Sequence, residues 1–586
     1  MYTLGINAYH GDSSACIYRD GELIAATEEE RIRRIKHWAG LPTEAVKFCL
    51  QEAGIKLDEV DVITVSRNPW AKFGYKIMHT LKNRSTVKSF KAKASHIGGV
   101  RTIKEDMAHA LGYNGTPIKA DIKFIEHHRS HMGSAFFVSP FEESAILSVD
   151  GMGDFTSTMR GIGKGNKITV LDSVTFPHSI GYFYTCFTQY LGFPNYGDEY
   201  KVMGLAPYGT PDPDLMKKIW DFMRLKSDGL FELNLKYLST VKHGDWGRID
   251  EKGIPVLKPH YSGNLVAQFG PARQKGEPLT DFHKNLAASV QRVTEETIFH
   301  LAEGLYKKTG LKNLCITGGV AQNSVANGKV VDNTSFENLF VPPAGHDGGT
   351  CVGSALFHYH NDLGKPRSPF KHQAYTGIYF TNDKIRQFLK TRDLSQFHVA
   401  EIPDEKLFNT VADALIGGCV VGWYQGRAEF GPRALGNRSI IVDPRRADAK
   451  DLMNEKIKRR ESFRPFAPSI LKECTAAYFE RVDDVPFMEK VFRIRPEKQA
   501  SIPAVTHVDG TGRLQTVEQI DAPRYHALIS AFNKKTGVPI LLNTSFNENE
   551  PIVNTPEHAL ECFLRTQMDM LVLENFVVSR KPLPGN

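Results

Sequence analysis

The chain has 586 residues, 41% hydrophobic and 24% charged, with a formal net charge of +7. That length exceeds a single hydrophobic core, so at least two domains are expected, and the composition is that of a globular protein. No apolar run approaches a bilayer span, which argues against a membrane partner, and the mild charge gives nucleic acid little support. The start, "MYTLGINAYHGDSS", has no basic segment leading into an apolar one, so no secretory leader is expected. Eight scattered cysteines without a CxxC pair fit reduced thiols in a cytoplasm.

In chain order, "YTLGINAYHGDSSACIYRDGELIAATEEERI" reads as strand, polar glycine loop, strand, Asp20-Gly21 turn, strand and helix. From Arg67 to Lys104 there is no acidic residue, and lysines and arginines accumulate. That stretch reads as a solvated helical insertion or as a patch steering an anionic substrate or acidic partner. Next, "EHHRSHMGSAFF" opens a helix-like apolar pattern on three histidines, and His127 and His131, four apart, share one helical face. "AILSVDGMGDFTSTMRGIGKGNKITVLDSV" then repeats strand, loop, strand, turn, strand. Two such units predict an α/β fold with the duplicated actin/sugar-kinase architecture, in which both first loops face a nucleotide in the central cleft.

"NLCITGGVAQNSVANGKV" and "FVPPAGHDGGTCVGSALFHY" are each a short strand, a glycine-rich loop and a helix, a design that offers backbone N–H groups to anions. "NDLGKPRSPFKHQ" reads as a linker, placing one domain at 1–360 and a second α/β domain at 375–586. In the latter, "GRAEFGPRALGNRS" gathers Arg427, Arg433 and Arg438 around glycines. Lys458, Arg464, Arg513 and the polar pair Ser545 and Asn547 lie on further loops. Arginine forks beside glycine suit a small phosphorylated anion; solvated surface charge is the plainer reading of each taken singly.

The His127–His131 pair is either a metal site or a polar helix end. Asp150, where a strand enters "DGMGD", and Asp347, in "GHDGG", could converge on it. Two imidazoles, two carboxylates and open positions suit Fe(II), Mn(II) or a similar ion, whereas Asp150 alone also reads as a turn cap before glycine. The segment is not HExxH, which disfavours zinc-protease chemistry.

These segments together resemble the O-carbamoyltransferases of nodulation and antibiotic biosynthesis. The likeness runs from Leu4 to about Leu573 and rests on "HGDSSA", "EEERIRRIKH", "HHRSH", "SVDGMGD", "GDEYKVMGLAPYG", "TGGVAQN", "GHDGG", "GRAEFGPRALGNRS", "RESFRPFAP", "DGTGRLQTV" and "LNTSFN". The family joins a threonylcarbamoyl-transfer-like domain to a threonylcarbamoyl-adenylate-synthase-like one. The resemblance implies that carbamoyl phosphate is converted to carbamate in the C-terminal domain. ATP, with Mg, then makes carbamoyl adenylate, and the N-terminal domain passes the carbamoyl group to a hydroxyl of a natural product. It implies iron(II) on His127, His131, Asp150 and Asp347, with His10 as base and Lys36 as electrostatic helper. It further implies nucleotide contacts from Lys201, Gly318, Gly319 and Asn323, and a carbamoyl-phosphate site at Arg433, Lys458, Arg464, Arg513 and Ser545. A homodimer is the assembly it suggests. Where the family often has Lys-His-Asp, this chain has Lys36-His37-Trp38, which bears on acceptor contacts.

The chemistry agrees: an alcohol needs a base near neutral pH, and a carbonyl under attack needs positive charge nearby. Unstable carbamate calls for a closed path between sites. Rival readings are an actin-fold small-molecule kinase, a tRNA-modifying carbamoyl-transfer enzyme and a non-catalytic nucleotide-binding module. The first has no use for "GPRALGNRS" and "DGTGR"; the second sits poorly with the modest net charge and the fused second domain; the third would be expected to lack His10 and the metal set.

Overall fold

The structure, a computed structural model, describes residues 1–82, 103–113, 118–240, 247–369, 371 and 374–582. The chain forms two compact units, Met1–Lys371 and His372–Asn586. Half of the basic stretch, residues 83–102, lies outside the described residues.

The first unit contains the same sheet twice. Strands β1 (Tyr2–Asn7), β2 (Ser14–Arg19), β3 (Glu22–Glu28), β4 (Val62–Val65) and β5 (Asp121–Phe124) form a sheet in the order β3-β2-β1-β4-β5. In the second half β6 (Glu143–Gly153), β7 (Thr156–Lys164) and β8 (Lys167–Thr175) form the antiparallel meander. Two short hairpins follow, β9–β10 (Met223–Leu225, Phe231–Leu233) and β11–β12 (Gly247–Ile249, Pro255–Leu257). Strands β13 (Asn313–Thr317) and β14 (Asn338–Phe340) then complete the order β8-β7-β6-β13-β14. Each half is thus a meander whose first strand pairs in parallel with the fourth, which is the duplicated actin/sugar-kinase-like α/β design. The Asp20-Gly21 hairpin turn has φ of 52° and 82°, the left-handed pair a tight turn requires.

"DGMGD" is not an open loop, because β6 continues through it to Gly153 and turns on Asp154 and Phe155, both at positive φ. Pairing with β7 slips between Val149 and Gly153, so Asp150 stands in a bulge that turns its side chain out of the ladder.

The second unit is built on a nine-stranded mixed sheet. Its strands are β15 (His398–Glu401), β16 (Val421–Tyr424), β17 (Arg438–Val442), β18 (Ala467–Leu471), β19 (Lys490–Arg493), β20 (Thr511–Val517), β21 (Ile540–Ser545), β22 (Met570–Leu573) and β23 (Phe576–Ser579). They are ordered β15-β23-β22-β16-β17-β21-β18-β20-β19. Trp423 and the aliphatic runs of β16, β17, β21 and β22 fill its core, and these strands are buried along their length except at Thr544 and Ser545. No helix among the described residues is long and apolar enough to cross a membrane.

Candidate functional site

The helix His127–Phe136 begins at Glu126, whose carboxylate accepts from the N–H of Arg129. Three histidines follow, with different fates. His128 is a core residue, held through Nδ1 by Ser148 Oγ at 2.8 Å and through Nε2 by the carbonyl of Thr156 at 2.9 Å. Burial beside His127 pushes it down to about 3, so it is neutral. His127 and His131 point the other way, and their Nε2 atoms lie 3.0 Å apart.

Asp150 and Asp347 complete a quartet whose ligand atoms all lie within 4.8 Å of one another. His127 Nε2 is 3.3 Å from Asp150 Oδ2, and Asp347 Oδ1 lies 3.5 Å from His127 Nε2 and 3.3 Å from His131 Nε2. Exposure is 3%, 0%, 6% and 5% for His127, His131, Asp150 and Asp347, so these charges are out of water. Glycines permit the approach: a Cβ on Gly353 would stand 1.7 Å from the carbonyl of Ser130, and one on Gly133 2.5 Å from the carbonyl of Gly353. The helices His127–Phe136 and Thr350–Leu356 therefore touch backbone to backbone, which brings Asp347, three residues before the second helix, against the histidine pair.

Burial disfavours charge on His127, yet its hydrogen bond to Asp150 and the charges of Asp347 and Asp150 raise it to about 9. His131 is lowered by burial and by His127. Both aspartates stay ionised: burial raises both and Asp347 raises Asp150 further, and the imidazoles, with His10 foremost at Asp347, overcome this. Two facing Nε2 atoms can share only one proton, and Asp347 Oδ1 between them accepts no hydrogen bond. A cation resolves both conflicts at once, so the donor set fits a divalent metal ion.

His10, on the β1–β2 loop, places Nδ1 2.5 Å from Asp347 Oδ2, the carboxylate oxygen turned away from the histidine pair. Lys36 is exposed. Its neighbour His37 makes the polar contacts that sequence reasoning missed: Nδ1 meets Asp12 Oδ1 at 2.7 Å, and its N–H donates to Glu30 Oε2. Burial opposes charge on His37, while Asp12 and Glu30 raise it to about 9. Asp12 and His37 both hold positive φ, a local signal that a single sequence does not print.

Gly319 adjoins the quartet, its N–H donating to Asp150 Oδ1 at 2.8 Å. Gly318 has φ of 94°, and a Cβ there would lie 2.1 Å from the carbonyl of Val149. Asn323 is engaged within the fold, exchanging amide hydrogen bonds with Gln291 and capping Ala326. Lys201 pairs with Asp198 at 2.9 Å.

In the second unit Lys458 is 1% exposed, and its Nζ donates to the carbonyls of Ser545 and Asn547 and to Asn547 Oδ1. Arg513, on β20, is held well below the usual guanidinium range by burial and by the charges of Arg433, Arg460 and Arg464 around it. Three of these four arginines were sequence candidates; Arg460, second of the pair in "KRRESF", was missed. It is held by Asn454 Oδ1 at 2.8 Å and stacks on Phe466. Arg438, from the same motif as Arg433, is a buried brace that donates to the carbonyls of Gln425, Gly426 and Ile378. Glu429 Oε1 ties that loop by accepting from the N–H groups of Leu435, Asn437 and Arg438. Like charges gathered this way call for an anion between them.

Residues 2–356 match the family described as carbamoyltransferase N-terminus, and residues 412–580 the carbamoyltransferase C-terminus. The chain belongs to the carbamoyltransferase family. It is 41% identical to the Uncharacterized protein sll1178 of Synechocystis, over 100% of this chain and 97% of that one. It is 38% identical to the Nodulation protein NolNO of Sinorhizobium fredii, over 98% of this chain and 80% of that one. A 3'-hydroxymethylcephem-O-carbamoyltransferase of Amycolatopsis lactamdurans is 36% identical over 77% of this chain and 80% of its own. The protein is therefore a carbamoyltransferase enzyme, and the quartet, the glycine loops and the arginine cluster all fall within the two matched segments.

Proposed function

We propose that this carbamoyltransferase is ATP-dependent and acts on a hydroxyl. Carbamoyl phosphate, held by Arg433, Lys458, Arg464, Arg513 and Ser545, is hydrolysed to carbamate and phosphate. Carbamate displaces pyrophosphate from ATP to give carbamoyl adenylate. The acceptor hydroxyl then attacks the carbamoyl carbon, AMP leaves, and an O-carbamoyl ester remains. The observation that carries the reading is His10, whose Nδ1 lies 2.5 Å from one oxygen of Asp347 while the other oxygen faces the histidine pair. This orientation turns Nε2 into the acceptor for the hydroxyl proton.

His127, His131, Asp150 and Asp347 would hold the metal, proposed to be iron(II). When bound it would supply positive charge where the carbonyl oxygen becomes negative. The loop of Gly318 and Gly319 lies beside Asp150, and it is the nucleotide-contact loop in this reading, with Gly318 allowing the close backbone approach. The relative named for O-transfer to a hydroxymethyl group supports a hydroxyl acceptor here.

The test is to incubate the protein with carbamoyl phosphate and ATP, first alone and then with a panel of hydroxylated acceptors. Phosphate, pyrophosphate and AMP are expected, with one carbamoyl group added to an acceptor by mass. Release of ADP in place of AMP would turn the reading toward a kinase.

A further inference from the structure

The turn ahead of β20 carries a histidine that the proposed reaction leaves unused. In "HVDGTGR", Asp509 and Gly510 form a tight turn, with Gly510 at φ of 76°. The N–H of His507 donates to the carbonyl of Thr511 at 2.8 Å, and the N–H of Gly510 donates to the carbonyl of His507 at 3.0 Å. These bonds fold His507 back onto Thr511, the first residue of β20. Thr511 and Arg513 are alternate residues of that strand and share a face, so the ring stands on the side that bears Arg513. The charges of Arg513 and Lys450 both act on it.

The hydrogen bonds fix which ring nitrogen holds the proton. Thr511 Oγ1 donates its one proton to Asp509 Oδ1 at 2.7 Å, an oxygen that also accepts from the N–H of Thr511 at 3.1 Å. The hydroxyl can then only accept from His507 Nδ1, 3.2 Å away. Nδ1 therefore carries the ring proton, and Nε2 carries the lone pair. Nε2 is buried and has no hydrogen-bond partner. A carboxylate, a hydroxyl and an imidazole in series, ending in an unsatisfied basic nitrogen, is an arrangement that orients a general base.

We propose that His507 is a catalytic base of the second unit, whose Nε2 takes a proton from the water that cleaves carbamoyl phosphate. This rests on carbamoyl phosphate being the donor held by the arginine cluster. The O–H bond of water breaks, its proton passes to Nε2, and its oxygen bonds to phosphorus as the P–O bond to the carbamate breaks. Carbamate leaves with that electron pair, and the ring returns its proton to the phosphate formed. Arginines on the phosphoryl oxygens favour attack at phosphorus, because they take up its developing charge. Burial, Arg513 and Lys450 disfavour charge on the free ring, while Asp509 and the Phe466 carbonyl favour it. A phosphoryl dianion seated among the arginines moves that balance toward protonation, so the base strengthens when its substrate binds.

The test compares phosphate release from carbamoyl phosphate, with ATP present, by the native chain, His507→Gln and Thr511→Val. Calorimetric binding of inorganic phosphate to each is measured alongside. His507→Gln should release phosphate roughly 10²–10⁴-fold more slowly while binding inorganic phosphate as the native chain does. Native release should fall as pH drops through the titration of the ring in the complex, and that limb should be missing in His507→Gln. Thr511→Val, which frees the tautomer, should slow release by a smaller factor. Release by His507→Gln at the native rate overturns the inference. So does loss of phosphate binding together with release, which would make the ring part of the anion site. Equal release by Thr511→Val and the native chain overturns the proton assignment from which the base role follows. No phosphate from the native chain would instead sink the choice of donor, and this inference with it.

Discussion

Two histidines, one in each unit, register opposite surroundings. Burial alone would lower both. Around His127 the carboxylates of Asp150 and Asp347 reverse that effect and hold it at about 9. Around His507 burial, aided by Arg513 and Lys450 and opposed by Asp509, takes the ring down to about 4. The first unit has therefore concentrated negative charge where a cation fits, and the second has concentrated positive charge where an anion fits. Each cluster is costly while empty, since like charges are brought together out of water, and each is relieved by a ligand of opposite sign. Such electrostatic frustration, in opposite senses, is what the proposed metal and the proposed phosphorylated donor would relieve.

The largest expected effect comes from emptying the negative cluster. His127→Ala/His131→Ala should take bound divalent metal from about one per chain to none. Transfer should fall by well over the roughly 10–100-fold that outer partners of a metal site command. Equal metal content in native and variant protein would remove the cluster as the binding site. Next in size is His10→Asn, where carbamoylated product should fall by roughly 10²–10⁴-fold while pyrophosphate release continues. Normal product formation would dismiss the base role; loss of both signals would make His10 part of the activation step.

Arg513→Ala probes the positive cluster. Phosphate release from carbamoyl phosphate should drop by roughly 10²-fold, as when one preorganised donor is lost. The free protein should become more stable, because the guanidinium is charged at a cost in the folded state. The melting temperature should rise by about 2–4 °C per kcal/mol relieved for a domain of this size. A lower melting temperature with unchanged phosphate release would make Arg513 a structural brace like Arg438.

Much of this was legible from residue order. The alternation of apolar residues and the Asp20-Gly21 pair disclose the strands and hairpin of each half, because period and turn chemistry are local properties. The i, i+4 spacing discloses that His127 and His131 share a face. It could not disclose that His128 is neutral and satisfied, since that depends on Ser148 and Thr156, distant in sequence. "DGMGD" reads as a loop from its glycines, whereas the bulge that presents Asp150 depends on pairing with β7. Arg433 and Arg438 look equivalent in "GPRALGNRS", and only the fold separates a side chain beside Arg513 from one braced on backbone carbonyls. Motif residues are readable wherever their role is set by near neighbours; long-range contacts decide the rest.

The smallest predicted effect sharpens the contrast between the two histidines. Above pH 6.5 His507 is neutral folded and unfolded, and it contributes nothing to the pH dependence of stability. Between 6.5 and about 4 the unfolded chain takes up a proton that the folded one refuses. Stability therefore falls as pH falls, by at most about 1.4 kcal/mol per pH unit and less in salt. Below about 4 both states are protonated and the slope ends. His507→Gln should flatten the stability profile across that window. An anion seated among Arg433, Arg464 and Arg513 would cancel part of the charge that disfavours protonation of the ring. Added inorganic phosphate or carbamoyl phosphate should therefore move the His507 titration, followed by NMR, upward toward its ordinary value. A titration unmoved by saturating anion would mean that the anion binds elsewhere, and the arginine cluster would lose its assignment.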